Sequence, residues 1–285
     1  MSDSEFSDSD DEFFEYGEAH GTDRQPRQFN AKIFEDGLPE VLRQQQVRVP
    51  DEVVNFLEDR LTDQLQYPQQ RMGMLTVREQ LLLFLHFAGT NSFFHVMRDV
   101  HGPSASTVCR TIHRVASAIS SLQAEVICWP PDTAAVATKF FQLAKFPRVA
   151  GAMDGSHIPV TPPKAVEDDY VNRHHQHSIN VLAVAGPNRE FYYVNANYPG
   201  KCHDSHVLQE SSLWRHFEAG WRPFPGAVLL ADSAYPLKDW LLTPYRGAEE
   251  GLPGRFNWAH RKTRLLVEQA FGVIKKRFYI LATGI

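Results

Sequence analysis

The chain is poor in cysteine and has no long apolar run. Three cysteines in 285 residues, Cys109, Cys128 and Cys202, are too few and odd in number for a disulfide framework, which points to a reducing compartment, cytosol or nucleus. The longest apolar runs, Leu81 to Leu85 and Ala227 to Ala231, fall far short of the roughly 18 residues that span a bilayer. No membrane association is expected. The N-terminus also lacks the basic-then-apolar layout of a secretory signal. Basic residues are missing from the first 20 positions, which hold eight acids. Setting those eight aside leaves 26 acids against 29 bases, so the whole-chain charge of −5 conceals a body of about +3 that permits a polyanionic partner. Like charges in blocks, with little apolar periodicity, predict a disordered acidic tail over residues 1–28.

The rest of the chain, with 43% hydrophobic residues overall, is enough for one large or two modest cores. Residues 29–146 read as a helical domain. Val53, Val54, Leu57, Leu61 and Leu65 recur at helical spacing after Asp51, a candidate N-cap. Thr76 and Glu79 form a capping box that opens a helix expected to end at Gly89. A helix-turn-helix-like segment covers about residues 92–120. It comprises a short helix from Ser92 to Val100, the turn His101-Gly102-Pro103, and a second helix capped by Ser104 with Val108, Ile112, Val115 and Ile119 as its apolar stripe. Arg110 and Arg114 fall on or near the exposed face of that second helix and are candidate DNA contacts. A last helix, Thr133 to Ala144, leads into the second part of the chain.

From residue 147 the periodicity changes. Arg148 to Val160 (RVAGAMDGSHIPV) is an apolar run carrying one carboxylate, Asp154, which demands a compensating partner if the strand is buried. Ser178 to Ala185, Glu190 to Ala196 and Ala227 to Ala231 read as further strands, the first two joined by a Gly186-Pro187-Asn188 hairpin turn. Helices are expected over Asp204 to Phe217, Leu237 to Leu242 and Ala259 to Phe278. That order describes an α/β sandwich and not a doubly wound sheet.

Four acids stand at or near the ends of these elements: Asp154, Asp204, Asp232 and Glu268. If the first and fourth strands are neighbours and the last helix crosses them, Asp154, Asp232 and Glu268 converge on one point. Clustered carboxylates share protons or bind metal, and all-oxygen ligation selects Mg²⁺ or Mn²⁺ for displacement at phosphorus. Arg264 and Lys275 belong to basic flanks around Glu268, and Arg173 and Lys201 flank other acidic elements. All four are candidate DNA-backbone contacts. An N-capping role competes for Asp204.

DGSHI at Asp154, YVNRHHQHSINVLAV from Tyr170, YPGKCHDSHVLQES around Asp204, ADSAYPLKDWLLTPY from Asp232 and FNWAHRKTRLLVEQAFGVIKKRF around Glu268 together resemble the PIF/Harbinger superfamily of DDE transposases and transposase-derived nucleases. The resemblance runs over about residues 75–281. The 35 residues between Asp232 and Glu268 match the interval it leads one to expect, which implies Asp154, Asp232 and Glu268 as the catalytic triad, with Asp204, at another acidic position of the family, as a fourth metal ligand. It implies an RNase H-like catalytic core over residues 147–285, a mixed sheet flanked by helices, preceded by the all-helical domain. It further implies a metal-dependent DNA endonuclease in the nucleus, with some in the cytoplasm, a Myb-like DNA-binding partner protein, and a homo-oligomer where transposition occurs. Relatives continue further past the glutamate helix, so the core is expected to be short at its C-terminus. A domesticated, catalytically inactive DNA-binding or scaffold protein is the alternative.

Other chemistries fit less well. His174, His175, His177, Cys202, His203 and His206 are possible zinc donors, but no CxxC or HExxH pattern organises them. Ser156 lacks the G-x-S-x-G frame of a hydrolase nucleophile. A paired-carboxylate glycosidase uses only two of the four acids. Ser233, Tyr235 and Pro236 read as a turn leaving the fourth strand.

Overall fold

The computed structural model describes residues 46–69, 73–247 and 249–284. The tail expected over 1–28 lies outside the described residues. The first described stretch is a layer of helices: α1 (Asp51–Leu65), α2 (Val77–Thr90), α3 (Phe94–His101), α4 (Ala105–Ser121), the short α5 (Gln123–Val126) and α6 (Thr133–Ala144). The capping box forms as the spacing requires, with Glu79 N donating to Thr76 Oγ1 and Thr76 N donating to Glu79 Oε2. Ser104 caps α4 by accepting from Thr107 N, and Gly102 ends α3 in the left-handed region. Two local readings shift. Asp51 is the first residue of α1, and Pro50 precedes it without a side-chain cap. The second helix runs past Gly89 to Thr90, where Asn91 takes the left-handed conformation at φ 52°.

Beyond α6 a five-stranded mixed sheet is assembled from β1 (Val149–Pro159), β2 (Ser178–Ala185), β3 (Phe191–Pro199), β4 (Val228–Leu230) and β5 (Leu241–Leu242), in the order β3-β2-β1-β4-β5. β1 pairs antiparallel with β2 and parallel with β4, and β5 extends the parallel side. Three helical segments complete this part: α7 (Asp204–Gln209), α8 (Ser212–Glu218) and α9 (Gly251–Arg277), followed by one turn, α10 (Ile280–Thr283). The sheet is covered on both faces. Ala152, Ile158, Val181 and Ala183 meet Val267, Ala270 and Phe271 of α9, whereas Met153, Leu182 and Val184 meet Val207, Leu208, Leu213 and Phe217 of α7 and α8. That division follows from side chains alternating faces along a strand. No helix among the described residues is long and apolar enough to cross a membrane.

Three expected elements change. No helix forms over Leu237 to Leu242; Leu241 and Leu242 are instead the edge strand β5, where Leu229 N donates to Trp240 O and Ala231 N to Leu242 O. Buried Trp240 and Leu241 join the sheet's core, and a strand edge left open by β4 overrides local helical preference. The single helix expected over Asp204 to Phe217 is two, since Ser211, buried, turns the chain and caps α8 by accepting from Trp214 N. The last helix starts at Gly251, eight residues before the expected Ala259, with Pro253 in its first turn, where no N–H partner is needed.

The helical layer is tied to the end of α9. Arg48 donates to the carbonyls of Lys276 and Arg277, and Asn91 Nδ2 donates to Thr283 Oγ1 and Gly284 O. Within the layer the buried rings of His86 and His101 share a hydrogen bond of 2.9 Å. Burial, then repulsion from His86, pushes His101 down from 6.5 to about 3; burial and then Arg48 lower His86. Below pH 6.5 the unfolded chain takes up a proton that the fold refuses, so stability is present above that pH and is lost as pH falls toward 3. Acidification from pH 6.5 to pH 5 is expected to remove about 2 kcal/mol through His101, read as a falling thermal midpoint. His101→Gln flattens that slope; an unchanged slope would assign the acid loss to another group.

Candidate active site

β1 is buried on both sides as far as Met153 and opens at Asp154. The reason is its neighbour. β4 pairs with β1 only as far as Ala152 opposite Leu230, so Asp154 and Asp232 each lie two residues beyond the last paired positions. Because strand side chains repeat every two residues and adjacent strands lie about 4.8 Å apart, the two carboxylates leave the sheet at the same level. Both point to the face that carries Ala152 and Leu230, which is the face covered by α6 and α9. Glu268 approaches the same face from α9, where Val267, Ala270 and Phe271 anchor the helix. Leu265 is exposed, and Glu268 lies at the rim of the packed stripe with its side chain 41% exposed.

The electrostatics agree with that convergence. Burial raises Asp154 to about 6, the Arg264 guanidinium and the Gly155 N–H pull it back, and the charges of Asp232 and Glu268 push it up. Arg264 is the counter-ion. Its Nη1 donates to Asp154 Oδ2 at 3.0 Å and its Nη2 donates to Glu268 Oε1. Lys275, half-buried, donates to Ser156 Oγ and His157 O, each at 2.8 Å, and burial lowers its pKa. Arg264, Glu268 and Lys275, spaced by four and seven residues, thus form one stripe of α9 laid against the open half of β1.

Asp204 reaches β1 from the other face. A side chain at Gly155 would lie 2.6 Å from Asp204 Oδ1, so only glycine lets α7 sit this close. Gly155 points away from the Asp154 face, and Asp204 is therefore separated from the other three acids by the strand. Asn180 holds it there, with Nδ2 donating to Asp204 Oδ1 at 2.7 Å and to Cys202 O at 2.9 Å. Two further side chains stand here that the sequence did not single out. Asn180 Oδ1 and the Tyr235 hydroxyl are buried without a hydrogen-bond partner. Tyr235, read as a turn residue, is 4% exposed and packs with Met153, Val207 and Ala231, the neighbours of Asp154, Asp204 and Asp232. Burial, then the charges of Asp204, Asp154 and Asp232, push its pKa upward. A buried tyrosine oxygen is normally satisfied, and a periodicity scan carries no signal for one that is not.

The remaining basic candidates are spread over the surface. Arg114 is engaged within the helical layer, donating to Gln64 O at 3.0 Å and lying 4.3 Å from the centre of the Tyr67 ring. Arg110 is exposed on α4. Arg173 is exposed beside His174, and Lys201 pairs with Asp169 at 3.6 Å. Three oxygen-donor side chains on one face suit a hard divalent cation in kind. In this geometry Arg264 bridges Asp154 and Glu268 in its place. Among the described residues no three His, Cys, Asp or Glu side chains stand close enough together to hold a metal ion, which includes the histidines weighed for zinc.

A sequence profile of the family described as DDE superfamily endonuclease matches residues 153–285. The chain is 33% identical over 235 residues to the Homo sapiens protein named Putative nuclease HARBI1, a match covering 81% of this chain and 67% of that protein. The Mus musculus protein of the same name is 34% identical over 235 residues, with the same coverage. Protein ALP1-like of Arabidopsis thaliana is 27% identical over 222 residues, covering 73% of this chain and 54% of that protein. No solved structure matches.

Removing the counter-ion should move the stability curve. Without its guanidinium, Asp154 titrates above its present value of about 6. A carboxylate whose folded pKa exceeds its unfolded value loses stability as pH rises through that window. In chelator-containing buffer, Arg264→Gln is expected to cost about 2 kcal/mol at pH 8 and much less at pH 5, measured by urea denaturation. An equal loss at both pH values would mean that Arg264 acts through packing.

Proposed function

The chain belongs to the DDE superfamily endonucleases, and from that membership and the geometry around Asp154 we propose that it is a divalent-metal-dependent nuclease that cleaves phosphodiester bonds of DNA. The observation that carries the reading is the level exit of Asp154 and Asp232 from adjacent parallel strands, with Glu268 brought to the same face by α9. The sheet order, antiparallel on one side of β1 and parallel on the other, supports an RNase H-like core.

In this reading Asp154, Asp232 and Glu268 hold Mg²⁺ or Mn²⁺, which when bound supplies charge stabilisation and a more acidic water. Asp204, across the strand and fixed by Asn180, is assigned as a supporting carboxylate that keeps Gly155 and the end of β1 in place. Arg264 serves the site twice. It neutralises Asp154 and Glu268 in the resting protein, and its guanidinium is well formed to receive a phosphate once those carboxylates are otherwise engaged. Lys275 holds the outer end of β1 against α9 through Ser156 and His157 and supplies a second positive charge beside the strand. Arg110, Arg173 and Lys201 are the exposed cations that we assign to the DNA backbone beyond the site. In this reading the protein works in the nucleus, with some in the cytoplasm. A Myb-like partner protein and self-association of the chain belong to the same reading.

A second reading, DNA binding or scaffolding without catalysis, draws on one feature, the engagement of both Asp154 and Glu268 by Arg264. One experiment separates the two. With Mg²⁺ or Mn²⁺ present, nicking of supercoiled plasmid is expected, and Asp154→Asn or Glu268→Gln lowers its rate at least about a hundredfold. Nicking that persists in both variants would sink the assignment of the acids. An absence of nicking in the parent protein, together with DNA retention that falls steeply with salt, would favour the second reading.

A further inference from the structure

Toward the N-terminal end of α9 lies a cavity that shares Asp232 and Arg264 with the nuclease site and extends beyond it. Asp232, Ser233 and Arg264 line it together with Glu249, Trp258 and Arg261; its volume is about 610 Å³. That is within the range of small-ligand sites, roughly 300–1,000 Å³. Its wall on α9 follows one helical stripe, since positions 254, 257, 258, 261 and 264 recur at three- and four-residue spacing. Trp258 stands about 9 Å along the helix axis from Arg264, at about 1.5 Å rise per residue. Arg264, which also contacts Asp154, and Asp232 join this cavity to the acidic site.

The walls are firmly held. Asn257 grips the facing loop through both backbone atoms of Tyr245, donating from Nδ2 to its carbonyl at 2.9 Å and accepting from its N–H at 2.8 Å. Gly254 abuts that loop so closely that a side chain there would lie 2.3 Å from Glu249 O. Lys262 Nζ stands 4.9 Å from the centre of the Trp258 ring. Trp258 nevertheless remains 53% exposed, an indole left open to solvent in a braced cavity beside a phosphate-directed site. Such a surface suits a flat, aromatic ligand with a polar edge. Ser233 and Arg261 offer donors to that edge and the Glu249 carboxylate an acceptor.

We propose that this cavity takes one unstacked nucleobase of the nucleic-acid strand whose neighbouring phosphate lies at Asp154, Asp232 and Glu268, with Trp258 as its stacking platform. The proposal rests on the nucleic-acid reading above and adds the base subsite to it. Stacking of a base on an aromatic side chain is sequence-tolerant and contributes enough to be read by substitution.

The test uses the full chain in chelator, so that no step of cleavage enters. Fluorescence anisotropy measures binding of a short single-stranded oligothymidylate and of an abasic oligomer of the same length. For oligothymidylate, Trp258→Ala is expected to weaken binding about tenfold and Trp258→Phe to retain most of the affinity. The abasic oligomer should bind the parent and both variants alike. Thermal melting of each variant checks that the fold is intact. Equal loss on both oligomers, or no loss on oligothymidylate, overturns the base subsite while metal-dependent nicking and its loss in Asp154→Asn leave the nuclease reading standing. If neither oligomer binds the parent protein, the base subsite and the nucleic-acid reading fall together.

Discussion

A carboxylate set on the central strand, where that strand loses a neighbour, governs the arrangement of much of this molecule. β1 needs partners on both edges and packing on both faces to bury Val149 to Met153, and β4 supplies one edge only as far as Leu230. Asp154 falls two residues beyond that support. Its desolvation outweighs the single guanidinium that faces it, since the carboxyl remains at about 6 with Arg264 in contact. A group held this far from its ordinary state at a sheet's opening is a characteristic of sites that do chemistry more than of sites that stabilise a fold. Arg264 is consequently a structural counter-ion and a member of the site at once.

The same strand has a second side. Glycine at position 155 lets Asp204 and Asn180 close against the backbone, while the Tyr235 ring fills the core beneath. Asp154 and Asp204 thus brace one strand from opposite faces, with unlike partners. Asp154 meets a cation from α9; Asp204 meets an amide from β2 and leaves the other half of that amide, and the nearby phenol, unsatisfied. Buried polar atoms without partners cost about 1–3 kcal/mol each, and their location next to the acids ties that expense to the site.

The helix that carries Glu268 is held at more than one place. Its middle packs on the sheet through Val267 and Phe271, and its last carbonyls accept from Arg48 of the helical layer. A cation at a helix C-terminus meets both the unsatisfied carbonyls and the negative end of the dipole. Through this contact the helical layer helps to set the height of Glu268 over β1. Asn91, at the end of α2, adds a second tie just beyond α9.

Local chemistry was legible in the chain. The Thr76 capping box, the Ser104 cap, the stop at Gly102 and the hairpin between β2 and β3 depend on residues a few positions apart, and the sequence alone determined them. It also marked Asp154 on a strand, Asp232 just past another and Glu268 within a helix. Tertiary structure decided the rest. Leu241 became a strand because β4 offered an open edge, and Ser211 broke a helix because burying Leu208 and Leu213 on one sheet face requires a turn between them. Arg264 and Lys275 read as cations on a helix flank, yet their partners are 110 and 119 residues away on β1. The face to which Asp204 points and the burial of Tyr235 likewise follow from which strands become neighbours. Strand pairing is set by the packing of the whole core, and no window of adjacent residues contains it.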